Sequence, residues 1–419
     1  MNFSRVLSVV NTLVLRGFGS GMSVLFTVLV ARYLDTAAAA RFFMLFNASV
    51  IAALCFRWGL DEVIVRRVAS AQAKDLEGLS RYLLGLSHRR VLSWTLVAFA
   101  LTGAVAVAGF DSPLAGIGFF EVACMLLASS LVALVAAAAR ISQGRGRTNA
   151  ATFLLNIIVP LLSLLGLGVL VSSGHALDAA ALAIIYLIAA AISYALSVVQ
   201  RYGSPFSLIH GERTGIQSAE GQADRRASVK LGGVVVAQQA LGWATVIIVP
   251  LAYGEATYTG FVVVQKLATL ISLAMLAVNF TFSSRFASLH ASGNRNELLA
   301  LVKVSVAGII GASIVVALAV FGLLEQIFAF SKIGENMQGP LVIMLIGQLM
   351  FSIASLYAVV LSMCQQEGFL LKAQVIAGLL GIPLFYLLSR ATTLEVACGA
   401  FVVSYGTLAT VLGVKVYRI

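Results

Sequence analysis

Apolar residues in this chain recur neither at every second position, as on a half-buried strand, nor at every third and fourth, as on an amphipathic helix. They run on at length, interrupted by short clusters rich in Arg, Lys, Gly, Ser and Asp. A helix crossing a bilayer needs roughly 20 predominantly apolar residues, and the runs predict twelve such spans. In the first half they are Val6–Leu34, Ala38–Leu60, Tyr82–Phe110, Pro113–Ala139, Ala150–Val171 and Leu177–Val199. In the second they are Val229–Leu251, Thr257–Phe282, Leu298–Leu324, Pro340–Met363, Phe369–Leu388 and Thr393–Val414. Ala37–Ala39 satisfies a signal-cleavage pattern, but the run before it far exceeds a signal core of 7–15 residues and more spans follow at once. It reads as a retained first helix.

Composition agrees. Of 419 residues, 60% are hydrophobic and 11% charged, with a mean hydropathy of +0.99. A soluble domain carries about 25% charged residues, so the solvent of this chain is a bilayer. Its 28 Lys+Arg against 17 Asp+Glu give a net charge of +11, which in a soluble protein would point to nucleic acid. Topology accounts for it instead. With both termini in the cytoplasm, 21 of the 28 cations fall on the cytoplasmic side, and only Arg32, Arg41, Lys332 and Arg390 lie opposite. This is the expected bias of an inner-membrane protein. Arg16, Arg57 and Lys266 remain, within spans, and no nucleic-acid partner is expected.

The two halves resemble one another. Arg67–Ala73 (RVASAQA) matches Arg285–Ala291 (RFASLHA), each read as a loop after the second helix of its half. Leucine-rich stretches follow both. Pro113 and Pro340 each open a fourth helix, where a missing N–H is tolerated, and Pro160 and Pro383 each interrupt a fifth. Gln143 and Gln366 each follow a fourth helix. The expected fold is therefore an all-α polytopic membrane protein of two six-helix lobes, 1–201 and 229–419, joined by a cytoplasmic linker at 202–228. An even number of spans gives both lobes one orientation, which implies a pseudo-twofold axis along the membrane normal and a central cavity between them.

Polar residues inside apolar helices carry the remaining information. Thr12, Arg16, Ser20, Ser23 and Thr27 share one face of the first helix, beside a G-x-x-x-G formed by Gly17 and Gly21 that is expected to admit a close neighbour. Gln265, Thr269, Ser272, Asn279 and Ser283 make a stripe on the eighth helix with Lys266 at its edge, and the seventh adds Gln238, Gly242 and Thr245. Single hydroxyls of this kind commonly bridge helices. Buried cations are harder to explain: one near the bilayer centre costs roughly 2.5–3.5 kcal/mol on insertion scales, so it faces water, a partner or a ligand. Arg57 lies close enough to the cytoplasmic end to snorkel, with Asp61 one turn on to pair with it. A cavity carrying cations and few carboxylates suits an anionic head group. Glu121 and Glu255, near the outer ends of the fourth and eighth helices, are candidates to bind a coupling proton or sodium ion, or else solvated interfacial carboxylates.

No enzyme chemistry is visible. His88, His175, His210 and His290 are read as scattered through loops without a metal motif, and no Walker lysine exists. Cys55, Cys124, Cys364 and Cys398 stand singly in apolar stretches, as small hydrophobes do. No metal or other cofactor is expected. A glycan polymerase or ligase would be expected to carry a large outer loop; the outer loops here are short.

Ala31–Leu34 ending the first helix, Trp58–Leu60 before Arg66–Ser70, Tyr253–Tyr258, and Ser288–Asn294 resemble the polysaccharide transporters, Wzx-type oligosaccharide flippases of the multidrug/oligosaccharidyl-lipid/polysaccharide (MOP) exporter superfamily. The resemblance covers nearly the whole chain in topology. It implies two lobes around a cationic cavity open alternately to each side, and a polyprenyl-pyrophosphate-linked oligosaccharide as substrate, an O-antigen or exopolysaccharide repeat unit. By position it assigns Arg16, Arg57 and Lys266 to the pyrophosphate. Membrane lipids and the polymerase and chain-length components of a glycan pathway are the implied partners. Alternatives are another MOP-type exporter, such as a drug efflux pump or a lipid II flippase, though many relatives carry an extra helix pair that is not expected here; or, from a different class, a polymerase or ligase subunit.

Overall fold

The structure is a computed structural model, and it describes residues 3–71, 76–107, 118–174, 177–199, 202–203, 219–364 and 366–418. Among these residues everything regular is helical. Helix α1 spans Phe3–Tyr33, α2 Thr36–Arg57, α3 Leu60–Ser70, α4 Leu76–Val107 and α5 Phe119–Gly144. A short α6 (Thr148–Thr152) passes through a π-turn, Phe153–Ile157, into α7 (Ile158–Ser172); α8 (Ala179–Tyr194) also ends in a π-turn, Ala195–Val199. The second half holds α9 (Ala219–Thr269), α10 (Ser272–Ala291), α11 (Arg295–Gly322), α12 (Leu324–Ser331), α13 (Gln338–Met363), α14 (Glu367–Ala391) and α15 (Leu394–Arg418).

Among the described residues ten helical runs are long and apolar enough to cross a membrane. One of them, Ser228–Thr269, is 42 residues long and holds two arms, because Gly254 (φ 82°, ψ 171°) breaks α9. That backbone region is open essentially to glycine alone. Helix α4 falls outside the ten: Arg81, His88, Arg89 and Arg90 dilute its apolar run. Many large apolar side chains face outward, with Leu101, Val169, Val315, Leu318 and Leu379 each more than 60% exposed. A water-soluble chain rarely shows such a surface, and the chain is a multi-pass membrane protein.

Four expectations are corrected. The run Thr257–Phe282 is not one helix: α9 ends at Thr269 and α10 begins at Ser272, so its polar stripe is cut in two. The paired segments at Arg67 and Arg285 are not loops; Arg67–Ser70 closes α3 and Arg285–Ala291 closes α10. His88 is no loop residue, lying 4% exposed in α4, and His290 stands in the last turn of α10. Gly17 and Gly21 face open space; the close helix approach is made by Gly19 between them. Pro113, His175, His210 and residues 204–218 of the linker lie outside the described residues, whereas Pro340 and Pro383 stand in the first turn of α13 and within α14.

The chain forms two compact units. One comprises Met1–Gly17, Ser23–Thr36 and Ala237–Ile419; the other, Phe18–Met22 and Ala37–Val236. The first is packed around Phe286, Val302, Ile309, Leu356, Leu361 and Leu412. In the second, Ala133 and Ala136–Ala139 on α5 are all buried, and these small side chains let Ile64 of α3, Leu84 of α4 and Val198 close in.

Candidate functional site

Helix α2 ends at a corner. Trp58 (φ 34°) and Gly59 (φ 71°) are both left-handed, which stops the helix and turns the chain into α3. Arg57, the last residue of α2, folds its side chain back along the helix, and its Nε donates to the Ala53 oxygen at 3.0 Å. Its Nη1 donates to Asp61 Oδ2 at 2.8 Å, an ion pair across the corner with side chains only 10% and 15% exposed. Arg140 of α5 approaches the same oxygen at 3.6 Å and donates through Nη1 to Gln143 Oε1 at 2.8 Å. Two guanidinium groups thus share one carboxylate, leaving the cluster with one net positive charge. The pairing of Arg57 with Asp61 is legible from their spacing, whereas Arg140 lies one residue beyond the predicted fourth span and carries no such signal.

The same unit holds a second buried polar pair. His88 Nδ1 faces the Leu84 carbonyl at 2.8 Å, and since a carbonyl only accepts, Nδ1 carries the proton. Nε2 then accepts from the Tyr194 hydroxyl at 2.7 Å. A tie between α4 and α8 results.

Arg16 and Lys266 belong to the other unit, both half-buried. Lys266 stands three residues before the break that ends α9. There the hydrogen bonds tighten, Leu270 N–H donating to the Leu267 oxygen at 3.1 Å and Ile271 N–H to Ala268 at 3.2 Å. The Lys266 carbonyl instead accepts the Thr269 hydroxyl at 2.7 Å. So the lysine stands beside a local discontinuity of its helix. Beyond it, Ser272 accepts a hydrogen bond from Gln348 of α13, and Asn279 Oδ1 is buried without a partner among the described residues. Gln348 was missed; a glutamine deep in an apolar run was the available signal.

The other expected residues are placed as follows. On α1, Thr27 is buried and donates to the Ser23 carbonyl at 2.9 Å, a local bond within the helix, while Ser20 is half-buried in the segment that belongs with the other unit. Gln238 and Gln265 are half-buried and Thr269 is exposed. Glu121 accepts the Gly118 N–H at 2.9 Å, closing the first turn of α5 as a capping carboxylate. Glu255 is exposed, the first residue after the Gly254 break. Among the described residues no three His, Cys, Asp or Glu side chains gather as a metal site would need.

No family model matches the chain, and no curated protein matches its sequence. Solved structures do match. An inward-facing multidrug resistance MATE family transporter of the MOP superfamily aligns over 96% of this chain and 94% of its own, with a TM-score of 0.73 at 12% identity. An outward-facing one aligns over 98% and 94%, with a TM-score of 0.68 at 13% identity. A MOP superfamily transporter from Pyrococcus furiosus aligns over 98% and 94%, at 0.63 and 14% identity. At such identities the likeness is one of fold: this chain has the fold of the MATE transporters of the MOP superfamily.

Proposed function

We propose that this chain is a MOP-type exporter that moves a polyprenyl-pyrophosphate-linked oligosaccharide across the bacterial inner membrane, with both termini in the cytoplasm. The observation that carries the reading is the sign of the charge at depth. Helix α1 carries Arg16 and no acidic residue, and from Ala256 to Asn296, which includes Lys266, no Asp or Glu occurs. Asp61 is already engaged by Arg57, and Glu121 caps its own helix. Cations kept in a membrane at a cost of kilocalories suit a cargo whose head group is anionic. A pyrophosphate meets that requirement, while its glycan takes the hydroxyl and amide groups of Ser23, Gln238, Gln265 and Asn279 and the lipid tail stays in the bilayer. Alternation between inward- and outward-open forms then delivers the glycan outside.

The fold itself does not choose the cargo. The Pyrococcus furiosus transporter is described by a binding pocket of reverse polarity suggesting a different function. The decisive experiment is to delete the gene and locate the lipid-linked intermediate. Completed units held on the inner leaflet support the flippase; accumulation on the outer leaflet indicates a polymerase or ligase role. Altered susceptibility to cationic drugs with normal surface glycan indicates a drug exporter.

A further inference from the structure

The unit that contains Lys266 also holds a cavity of about 460 Å³, assembled from three segments and not lined by that lysine. They are the turn between α1 and α2, the first residues after the Gly254 break, and the loop between α12 and α13. The charge distribution assigns these loops to the outer face. The volume falls within the range of small-molecule sites, about 300–1,000 Å³. Two close approaches shape it: a Cβ on Gly260 would lie 3.1 Å from the Met337 side chain, and one on Gly334 would lie 2.8 Å from Asn336 Oδ1.

Its lining combines Asp35, Thr257, Lys332 and Asn336 with the apolar Leu34 and Met337. Asp35 and Lys332 balance in charge, which disfavours an anion or a cation as the occupant. Carboxylate, amide, hydroxyl and ammonium groups offer donors and acceptors in both senses, and the apolar side chains can cover a C–H face. A neutral ligand carrying several hydroxyls satisfies that set.

Lys332 supplies an independent observation. It occupies the left-handed position (φ 57°) that ends α12, with the Ile333 N–H donating to the Phe328 oxygen at 3.1 Å. Glycine takes this position without strain, whereas an L-residue adopts it at a cost. Strain held at a cavity wall points to a use for the side chain.

We infer that this cavity is a carbohydrate subsite on the outer face, taking a single neutral sugar residue. Its place in transport, as a hold for the glycan on its way out, rests on the flippase reading; the sugar-binding property does not. The test uses purified full-length protein in detergent and saturation-transfer NMR with the methyl glycosides of glucose, galactose, rhamnose and N-acetylglucosamine. At least one glycoside is expected to bind. Asn336→Ala and Thr257→Trp should each weaken it at least about tenfold, and Leu379→Ala, on an exposed face of α14 outside the cavity, should leave it unchanged. Asn336→Ala adds no volume, so it keeps the test alive if Thr257→Trp fails to fold. Binding undiminished in a folded cavity variant overturns the site, and so does the failure of all four glycosides to bind. If the deletion strain accumulates no lipid-linked glycan while the cavity variants still lose glycoside binding, the subsite stands and the flippase reading falls.

Discussion

A Cβ on Gly19 would lie 2.5 Å from the carbonyl oxygen of Asn156. The relationship follows from Pro160. Proline has no N–H, so the carbonyl four residues earlier loses its intrahelical donor, and that carbonyl belongs to Asn156, inside the π-turn Phe153–Ile157. The Asn156 backbone and Cβ come so close to Gly19 that only a residue without a side chain fits there. Gly19→Ala should therefore destabilise the protein by about 1–3 kcal/mol, the usual range for overpacking. Gly17→Ala and Gly21→Ala meet open space and should be neutral or gain up to about 1 kcal/mol from reduced chain entropy. Thermal unfolding of the three variants in detergent separates them, and equal midpoints would remove Gly19 from the contact.

The corner at Gly59 is tighter still. A Cβ there would lie 2.3 Å from the Ser228 carbonyl oxygen and 2.4 Å from the Gly232 nitrogen. The Ser228 hydroxyl donates to the Trp58 carbonyl at 2.6 Å and accepts from Arg90 at 3.0 Å. Left-handed strain adds to the steric conflict, so Gly59→Ala should lower stability by more than about 2 kcal/mol. The expected sign is a fall in both membrane yield and unfolding temperature. Ser228→Ala, which removes only the hydroxyl, should cost about 1 kcal/mol.

Asp61 is the one carboxylate shared by Arg57 and Arg140, at a site where the three side chains are 15%, 10% and 25% exposed. Asp61→Asn leaves Arg57 and Arg140 with their charges uncompensated, and breaking a buried pair in this way costs about 3–5 kcal/mol. Asp61→Asn combined with Arg57→Gln removes one cation along with the anion and should recover part of the loss. Additive losses in the double variant would show that the pair is not coupled.

The long features of this fold were legible because the bilayer enforces them: an uninterrupted apolar run is a span whatever its neighbours do. Local departures were not. The eighth run reads as continuous because Leu270 and Ile271 are as apolar as the residues around them, yet the backbone breaks there. Its α4 counterpart misled in the opposite sense, since His88 looks like a loop residue until Tyr194, 106 positions away, supplies its partner. Spacing named Gly17 and Gly21 as a packing pair because the motif is written for two regular helices. Pro160 makes the neighbouring helix irregular, and the contact moves to Gly19. Of the buried cations, Arg57 showed its partner in the sequence through the i,i+4 position of Asp61, whereas neither Arg16 nor Lys266 has a carboxylate at that spacing.

That difference yields the sharpest expectation. Removing one partner of a buried ion pair leaves the other charge uncompensated, so Arg57→Gln should unfold at lower temperature. In Lys266→Leu surface glycan should fall at least about tenfold, the loss expected from one strong charged contact. Lys266→Arg keeps the charge at similar reach and should retain most transport. Matched membrane levels, measured by immunoblot, make the comparison valid. Wild-type glycan display by Lys266→Leu at matched levels would exclude the lysine from the pyrophosphate site, and a large drop in its unfolding temperature would assign it to the structural class of Arg57.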